Sequence, residues 1–365
     1  MNSVERVMAA VSHREPDRIP LDYWGVPEVT ERLLAKFDLP DVRALRRHLN
    51  VDLTYVGPQQ EEEHVRHLAD GSYYDRWGTL RRWQALPGGG GYWEGVEWPL
   101  VGNEKVEDAE TYRWASVDEF DWEAFDRELD HYEGFAIVGG CISTFAVYLE
   151  LRGVENSLAD LALKPDYAAA LIENIANQQL EHFERLAEVA AGRVHFASIN
   201  DDWGMQTGLM ISPTMFREFY KEPIRRVLDG VRAKGFGVFC HSDGSVYGVM
   251  DDLVELGIDI LNPVQTTCTD MEPRRLKREF GDHVCFHGAV DTQHVLPNGT
   301  PEDVRAETLH KMDVLGRRGG YILASCHNIQ DQVSTENVMS MYQTAFEHGA
   351  YPLELPKYRP SATSI

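Results

Sequence analysis

Several short apolar runs in this sequence end in polar side chains of the kinds that bind metal ions or transfer protons. His241 and Asp243 stand two residues apart at the end of one run, and Cys326 ends another. Alternate residues of a β-strand face the same side, so His241 and Asp243 are expected to share a face. A histidine nitrogen and a cysteine thiolate suit zinc, and Asp243 or Asp201 could supply a third ligand and leave one coordination position open.

Each of these residues also has a structural interpretation. An Asp or Asn that follows a strand often caps the next helix, and the chain lacks the Cys-x-x-Cys and His-Glu-x-x-His patterns that mark zinc sites most clearly. Cys240 points away from the face of His241 and is expected in the core.

The runs that carry these side chains alternate with segments of helical period, and this alternation predicts a parallel sheet. Pro165, Pro213, Pro301 and Ser334 mark the expected starts of four helices. Eight strand-length runs predict a single (β/α)8 TIM barrel of the α/β class, with its chemistry at the carboxyl ends of the strands. The eight runs are residues 18–24, 51–57, 135–140, 194–201, 235–241, 258–263, 284–289 and 320–326.

One segment, at about residues 71–100, breaks the alternation. Tyr and Trp residues flank a Pro-Gly-Gly-Gly turn at residues 87–90, which predicts an antiparallel β-ribbon inserted in the barrel. We therefore expect one domain over residues 1–350, with residues 351–365 as a C-terminal tail.

Charge and composition restrict the class of partner. The chain has 35 Lys and Arg against 59 Asp and Glu, and its formal charge of −24 disfavours nucleic acid and anionic membrane as partners. Five cysteines, an odd number spread along the chain, are no disulfide framework and indicate a reducing cytoplasm. The longest uncharged stretch, residues 134–149, is shorter than the roughly 20 residues of a membrane helix, so no membrane span is expected.

Four segments give the sequence a family likeness. They are residues 5–20, residues 201–213 with their Asp-Asp-Trp-Gly-Met-Gln-Thr-Gly start, the turn 241–244 and the Cys-His-Asn-Ile-Gln ending at 326–330. In this order they resemble the uroporphyrinogen decarboxylase superfamily, and the resemblance runs from about residue 4 to residue 350. It implies a (β/α)8 barrel, and we predict catalytic roles for Asp22, Asp201, Asp202 and Gln206.

The superfamily has two branches, and the residues that divide them can be compared here. True uroporphyrinogen decarboxylases carry an Arg-Gln-Ala-Gly-Arg-Tyr segment that clamps a substrate with eight carboxylates, whereas residues 24–30 here contain no arginine. The other branch comprises corrinoid-linked methyltransferases, several of which hold zinc through His-x-Cys and a distant Cys. That pattern corresponds to His241 and Cys326, with Asp243 in place of the middle Cys. Asp243 would either ligate the metal or orient His241.

The resemblance therefore implies a zinc-dependent methyltransferase that moves a methyl group between a small methoxylated compound or thiol and an external corrinoid protein. The corrinoid, such as methylcobalamin, would come from a partner, since no cobalamin-binding domain is recognised in the chain. The alternative is a decarboxylase of a tetrapyrrole or a smaller carboxylated substrate, in which Asp22 or Asp201 handles a pyrrole-like cation. A homodimer is an option that the sequence leaves open.

Overall fold

The computed structural model describes residues 1–85, 91–103 and 105–359, which form thirteen strands and fifteen α-helices. In chain order the strands are β1 (Leu53–Val56), β2 (Arg66–His67), β3 (Tyr73–Tyr74), β4 (Leu80–Ala85), β5 (Gly91–Glu97), β6 (Ala136–Ile142), β7 (Phe196–Asn200), β8 (Gly204–Met205), β9 (Gly208–Leu209), β10 (Gly237–His241), β11 (Ile260–Asn262), β12 (Cys285–Val290) and β13 (Tyr321–Ser325). The helices are α1 (Ser3–Val11), α2 (Pro27–Phe37), α3 (Val42–His48), α4 (Val106–Glu110), α5 (Trp122–His131), α6 (Phe145–Arg152), α7 (Val154–Leu163), α8 (Pro165–Ala190), α9 (Pro213–Met215), α10 (Lys221–Ala233), α11 (Met250–Leu256), α12 (Pro273–Phe280), α13 (Val295–Asn298), α14 (Pro301–Lys311) and α15 (Thr335–His348).

Seven strands form one parallel sheet in the order β1-β6-β7-β10-β11-β12-β13. Their spatial order follows their order along the chain, so each connection returns the chain to the same end of the sheet, as in a TIM-barrel-like fold. The prediction of an α/β fold with a parallel sheet is confirmed, and seven of the eight predicted runs overlap the observed strands. The carboxyl ends of all seven strands meet at one end of the sheet.

The first predicted run, residues 18–24, is not a regular strand, and that prediction is wrong in detail. Only isolated bridges occur here, including a parallel one between Leu21 and Leu323. Pro20 has no backbone N–H to donate, and the N–H of Leu21 donates to the side chain of Asp52 at 3.0 Å instead of to a strand. The segment still spans the two edges of the sheet, because Asp22 N–H donates to the carbonyl of Leu323 at 3.0 Å and Asp52 N–H donates to that of Leu21 at 2.8 Å.

An antiparallel sheet of four strands, β2-β3-β4-β5, corresponds to the predicted ribbon. In the chain it lies between β1 and β6, which are neighbours in the parallel sheet. The turn predicted at residues 87–90 lies outside the described residues. The Tyr92 hydroxyl is 3.4 Å from Nε2 of Gln330, so this sheet reaches the loop after β13.

The helix starts follow from local chemistry. α8, α9 and α14 begin at Pro165, Pro213 and Pro301, as predicted, and Thr300 forms a capping box with Asp303 at the start of α14. Cys240 is fully buried, as expected. No helix in the described ranges is both long and apolar enough to cross a bilayer.

Candidate active site

Three side chains converge at the carboxyl end of the sheet. One ligand atom from each of Asp202, His241 and Asp243 lies within 4.8 Å of the other two. Oδ1 of Asp243 is buried and has no hydrogen-bond partner in the described structure. An imidazole and two carboxylates, one of them with a partnerless buried oxygen, fit a divalent cation with N and O ligands.

Two close-packed loops hold these carboxylates together. Asp202 follows β7 and Asp243 follows β10, and the N–H of Asp243 donates to Oδ1 of Asp202 at 2.9 Å. Behind them, a Cβ on Gly204 would lie 2.4 Å from the carbonyl oxygen of Asp243, and Gly244 has a φ of +81°. Glycine is required at both positions, because any side chain would push the loops, and the two carboxylates, apart.

Cys326 is not part of this group of three. Its Sγ lies 3.0 Å from Oγ1 of Thr292, and burial raises the pKa of the thiol to about 11. The next residue, His327, places Nε2 3.4 Å from Oδ2 of Asp243. The structure thus places Asp202 directly beside His241 and Asp243. A ligand role for Cys326 stays a prediction, because it requires a bound cation to lower the pKa of the thiol.

A chain of buried side chains extends from His241 away from the group of three. Nδ1 of His241 is 2.5 Å from Oδ1 of Asn262, and Nδ2 of Asn262 is 2.6 Å from Nδ1 of His287. Nε2 of His287 is in turn 3.0 Å from Oδ2 of Asp22. Asn262, His287 and Asp22 are all fully buried. We call this chain of four side chains the relay.

The charge on Asp22 determines the proton positions along the relay. Burial alone would raise the pKa of Asp22, but the hydrogen bond from His287 and the charge of Arg46 hold it below its ordinary value. The ionised carboxylate accepts from Nε2–H of His287, whose Nδ1 then accepts from the Asn262 amide. Oδ1 of Asn262 accepts from Nδ1–H of His241, which leaves the lone pair of Nε2 of His241 facing the two carboxylates.

The other predicted catalytic residues have different surroundings. Asp201 is fully buried and accepts from the N–H groups of Thr144 and Ala146 at the start of α6. Burial raises its pKa to about 7. Gln206 donates from Nε2 to the carbonyl of Thr267 at 2.6 Å. In this structure Asp201 and Gln206 bind neighbouring backbone, while Asp22 reaches the group of three only through the relay.

A cavity of about 580 Å³ lies at the same end of the sheet, and its lining does not include the three side chains of the group. Asn200 lines it, and Asn200 is paired in register with His241 on the neighbouring strand. Its lining includes four aromatic side chains and one guanidinium group, those of Tyr55, Tyr73, Phe120, His182 and Arg76. A pocket of this size can hold a small organic molecule.

His182 on this wall predicts a dependence of stability on pH. Burial lowers its pKa to about 3, and the charge of Arg76 adds to the shift. The unfolded chain binds a proton near pH 6.5 and the folded chain does not, so this part of the stability is complete above pH 6.5 and is lost as pH falls toward 3. His182→Gln should lose less stability than the wild type between pH 6.5 and 5, as measured by urea unfolding. His131→Gln, at an exposed position, is the control and should follow the wild type.

Sequence analysis predicted site roles for His241 and Asp22 but for neither of the other two members of the relay. Asn262 was noticeable only as a polar strand end, and His287 lies inside an apolar run with no polar neighbour to mark it. Tyr55, which donates to Asp22 at 2.6 Å, occupies another apolar run. The only signal in the sequence is the alternation of side chains along a strand, which places these polar side chains on the inward face.

Together, the parallel sheet and the polar group at its carboxyl end define a barrel-like α/β protein with a site of the kind that such folds carry. Residues 122–348, more than half of the chain, match the family model described as Uroporphyrinogen decarboxylase (URO-D), and the chain belongs to that family.

Two similar proteins represent different activities. A uroporphyrinogen decarboxylase of Neisseria meningitidis serogroup C is 25% identical over 190 residues, which are 50% of this chain and 49% of that protein. The chain thus spans about half the length of this curated relative. A solved methyltransferase from Methanosarcina mazei is 16% identical with a TM-score of 0.67, covering 95% of this chain and 99% of that one, which shows a shared fold.

Proposed function

We propose that this protein is a zinc-dependent methyltransferase that moves a methyl group between a small methoxylated compound or thiol and an external corrinoid protein. The observation that carries the proposal is the group Asp202, His241 and Asp243, with its partnerless buried oxygen, beside a substrate-sized cavity. The fold is shared with a methyltransferase of Methanosarcina mazei, which agrees with a methyl-transfer reaction. We further propose a closed, cytoplasmic (β/α)8 barrel, in which residues 20–22 take the eighth strand position and the antiparallel sheet is an insertion.

The residues present fit zinc. His241, Asp243 and Asp202 would hold the ion, and Cys326 would join them as a thiolate. Bound zinc would supply a Lewis acid that polarises an ether oxygen or favours the thiolate form of a thiol. The relay keeps Nε2 of His241 available as a ligand. His327, with a side chain 40% exposed beside Asp243, would carry the proton that a thiol releases or that a departing phenolate takes up.

Decarboxylation is the second candidate function, and the curated relative supports it. The charges in the cavity, however, argue against a substrate with eight carboxylates. Arg81 is bound to Asp75 and Glu150, and Arg82 lies on the exposed side of the same sheet. Within the described residues the lining of the cavity therefore offers one arginine, Arg76, for a substrate with eight carboxylates. Residues 24–30 add none.

One anaerobic experiment separates the two functions. The protein is mixed with methylcobalamin and a thiol, or with reduced cobalamin and a methoxyarene, and the corrinoid spectrum is followed; uroporphyrinogen is tested in parallel. We expect a spectral change that requires the protein and is lost in His241→Ala, and no coproporphyrinogen. Coproporphyrinogen formation at ordinary enzymatic rates without any corrinoid change would show that decarboxylation is the function.

The relay predicts that a residue without metal contact controls zinc affinity. Asn262→Ala removes the acceptor that fixes Nδ1–H of His241, and the zinc affinity should fall by about 10- to 100-fold. Competition with a chromophoric chelator measures it. Ser198→Ala, which removes a buried hydroxyl on the adjacent strand β7, is the control and should keep the wild-type affinity. An unchanged affinity in folded Asn262→Ala would show that the relay does not orient His241.

A further inference from the structure

The cavity beside the group of three contains a guanidinium group that has no ionic partner among the described residues. Arg76 lines the cavity, and its contacts are with ring faces. Its Cζ lies 4.3 Å from the ring centroid of Trp77 and 5.4 Å from that of Phe120. Stacking on rings positions the guanidinium plane but uses none of its five N–H donors.

The other ionisable groups described in the cavity form no ion pair with Arg76. The carboxylate of Asp75 is bound to Arg81, with its Oδ2 2.7 Å from NH2 of that side chain. His182 is neutral at ordinary pH because burial lowers its pKa to about 3. Burial raises the pKa of the Cys141 thiol, which keeps it neutral too. Asp75 attracts Arg76 through its charge, but no carboxylate among the described residues forms an ion pair with this guanidinium, so its N–H donors are available to a bound anion.

The rest of the wall indicates the shape of the ligand. Tyr55, Tyr73 and Phe120 present aromatic surface, which favours a flat apolar body. Asn200 lies on the side of the cavity next to His241. A small ligand bound to Arg76 at one end would therefore extend along aromatic walls toward the group of three.

We propose that Arg76 binds the carboxylate of a small aromatic substrate whose reacting end faces Asp202, His241 and Asp243. A guanidinium fork matches a planar carboxylate with two parallel hydrogen bonds, which a neutral or spherical group cannot accept equally well. The identity of the reacting end rests on the proposed methyl transfer. The carboxylate contact rests on the cavity alone.

Calorimetry with two probes tests the contact in the protein as purified, with no corrinoid present. The probes are 3-methoxybenzoate and its neutral analogue of the same shape, 3-methoxybenzamide. The wild type should bind the benzoate at least about tenfold more tightly than the amide. Arg76→Gln should lose that preference and keep its affinity for the amide. Arg82→Gln makes the same change of charge on the exposed part of the same sheet and should keep the preference.

Several outcomes would overturn the inference. They are equal binding of both probes by the wild type, no measurable binding of either, or a preference that survives in Arg76→Gln. If that variant fails to fold, Arg76→Lys, which keeps the charge without the fork, should still show a reduced preference. The result is independent of the proposed function, because no methyl transfer is measured. Conversely, transfer from 3-methoxybenzoate with a kcat/KM that Arg76→Gln leaves unchanged would reject this contact and keep the methyltransferase.

Discussion

His241→Ala is expected to be purified without zinc, whereas the wild type should carry about one zinc ion per chain. His241 supplies the only nitrogen in the group of three, and its removal leaves two carboxylates, which bind zinc weakly without further ligands. Elemental analysis of protein purified by the same protocol measures the difference. Full zinc occupancy in His241→Ala would reject the site.

Substitutions at the other proposed ligands should distinguish residues that bind the zinc ion from residues that only orient a ligand. Asp243→Asn should weaken zinc retention, because a neutral amide is a poorer donor than a carboxylate, and Asp243→Cys should restore or tighten it. Cys326→Ser should lose zinc if the thiolate joins the ion. If Cys326→Ser keeps its zinc and Asp202→Asn loses it, the ion is instead bound by the three side chains that the structure already brings together.

Asp52→Ala is expected to lower the free energy of unfolding by about 3–5 kcal/mol, since it leaves the partly buried Arg18 without a carboxylate and Arg6 with Asp17 alone. The Asp52 side chain is fully buried and binds NH1 of Arg6 at 2.7 Å and NH1 of Arg18 at 2.8 Å. It also accepts from the N–H of Leu21 at 3.0 Å. Urea unfolding followed by circular dichroism measures the loss.

Asp17→Ala is the matched control for this prediction, because Asp17 binds the same Arg6 but has a side chain that is 43% exposed. An exposed ion pair contributes up to about 1 kcal/mol, so the control should be far closer to the wild type. Equal losses of unfolding free energy in Asp52→Ala and Asp17→Ala would contradict the role assigned to the burial of Asp52.

The strands could be predicted from the sequence because parallel strands buried on both faces are short continuous apolar runs. Residues 196–200 and 285–290 are examples, and both were predicted within two residues. The failure at residues 18–24 has a non-local cause. The N–H of Leu21 is taken by the Asp52 side chain, and no pattern within the run shows that.

The site was predictable only where one strand carries it. His241 is the last residue of β10 and Asp243 lies two residues further on, so their closeness in the sequence was enough to predict that they lie together. Asp202 joins them only because two glycine-bearing loops pack together. His287 meets Asp22 across 265 positions of sequence, a contact that depends on the curvature of the whole sheet.

The segment that spans the two edges of the sheet has a consequence for the order of synthesis. Pro20 and Asp22 leave the ribosome about 300 residues before Leu323, whose backbone groups they bind. Until Leu323 is made both edges lack their partners, and the chain must close this long loop to join them. Contacts of such long range slow folding and leave strand edges exposed to other chains. We therefore expect the nascent chain to depend on protection from aggregation until its last strand emerges.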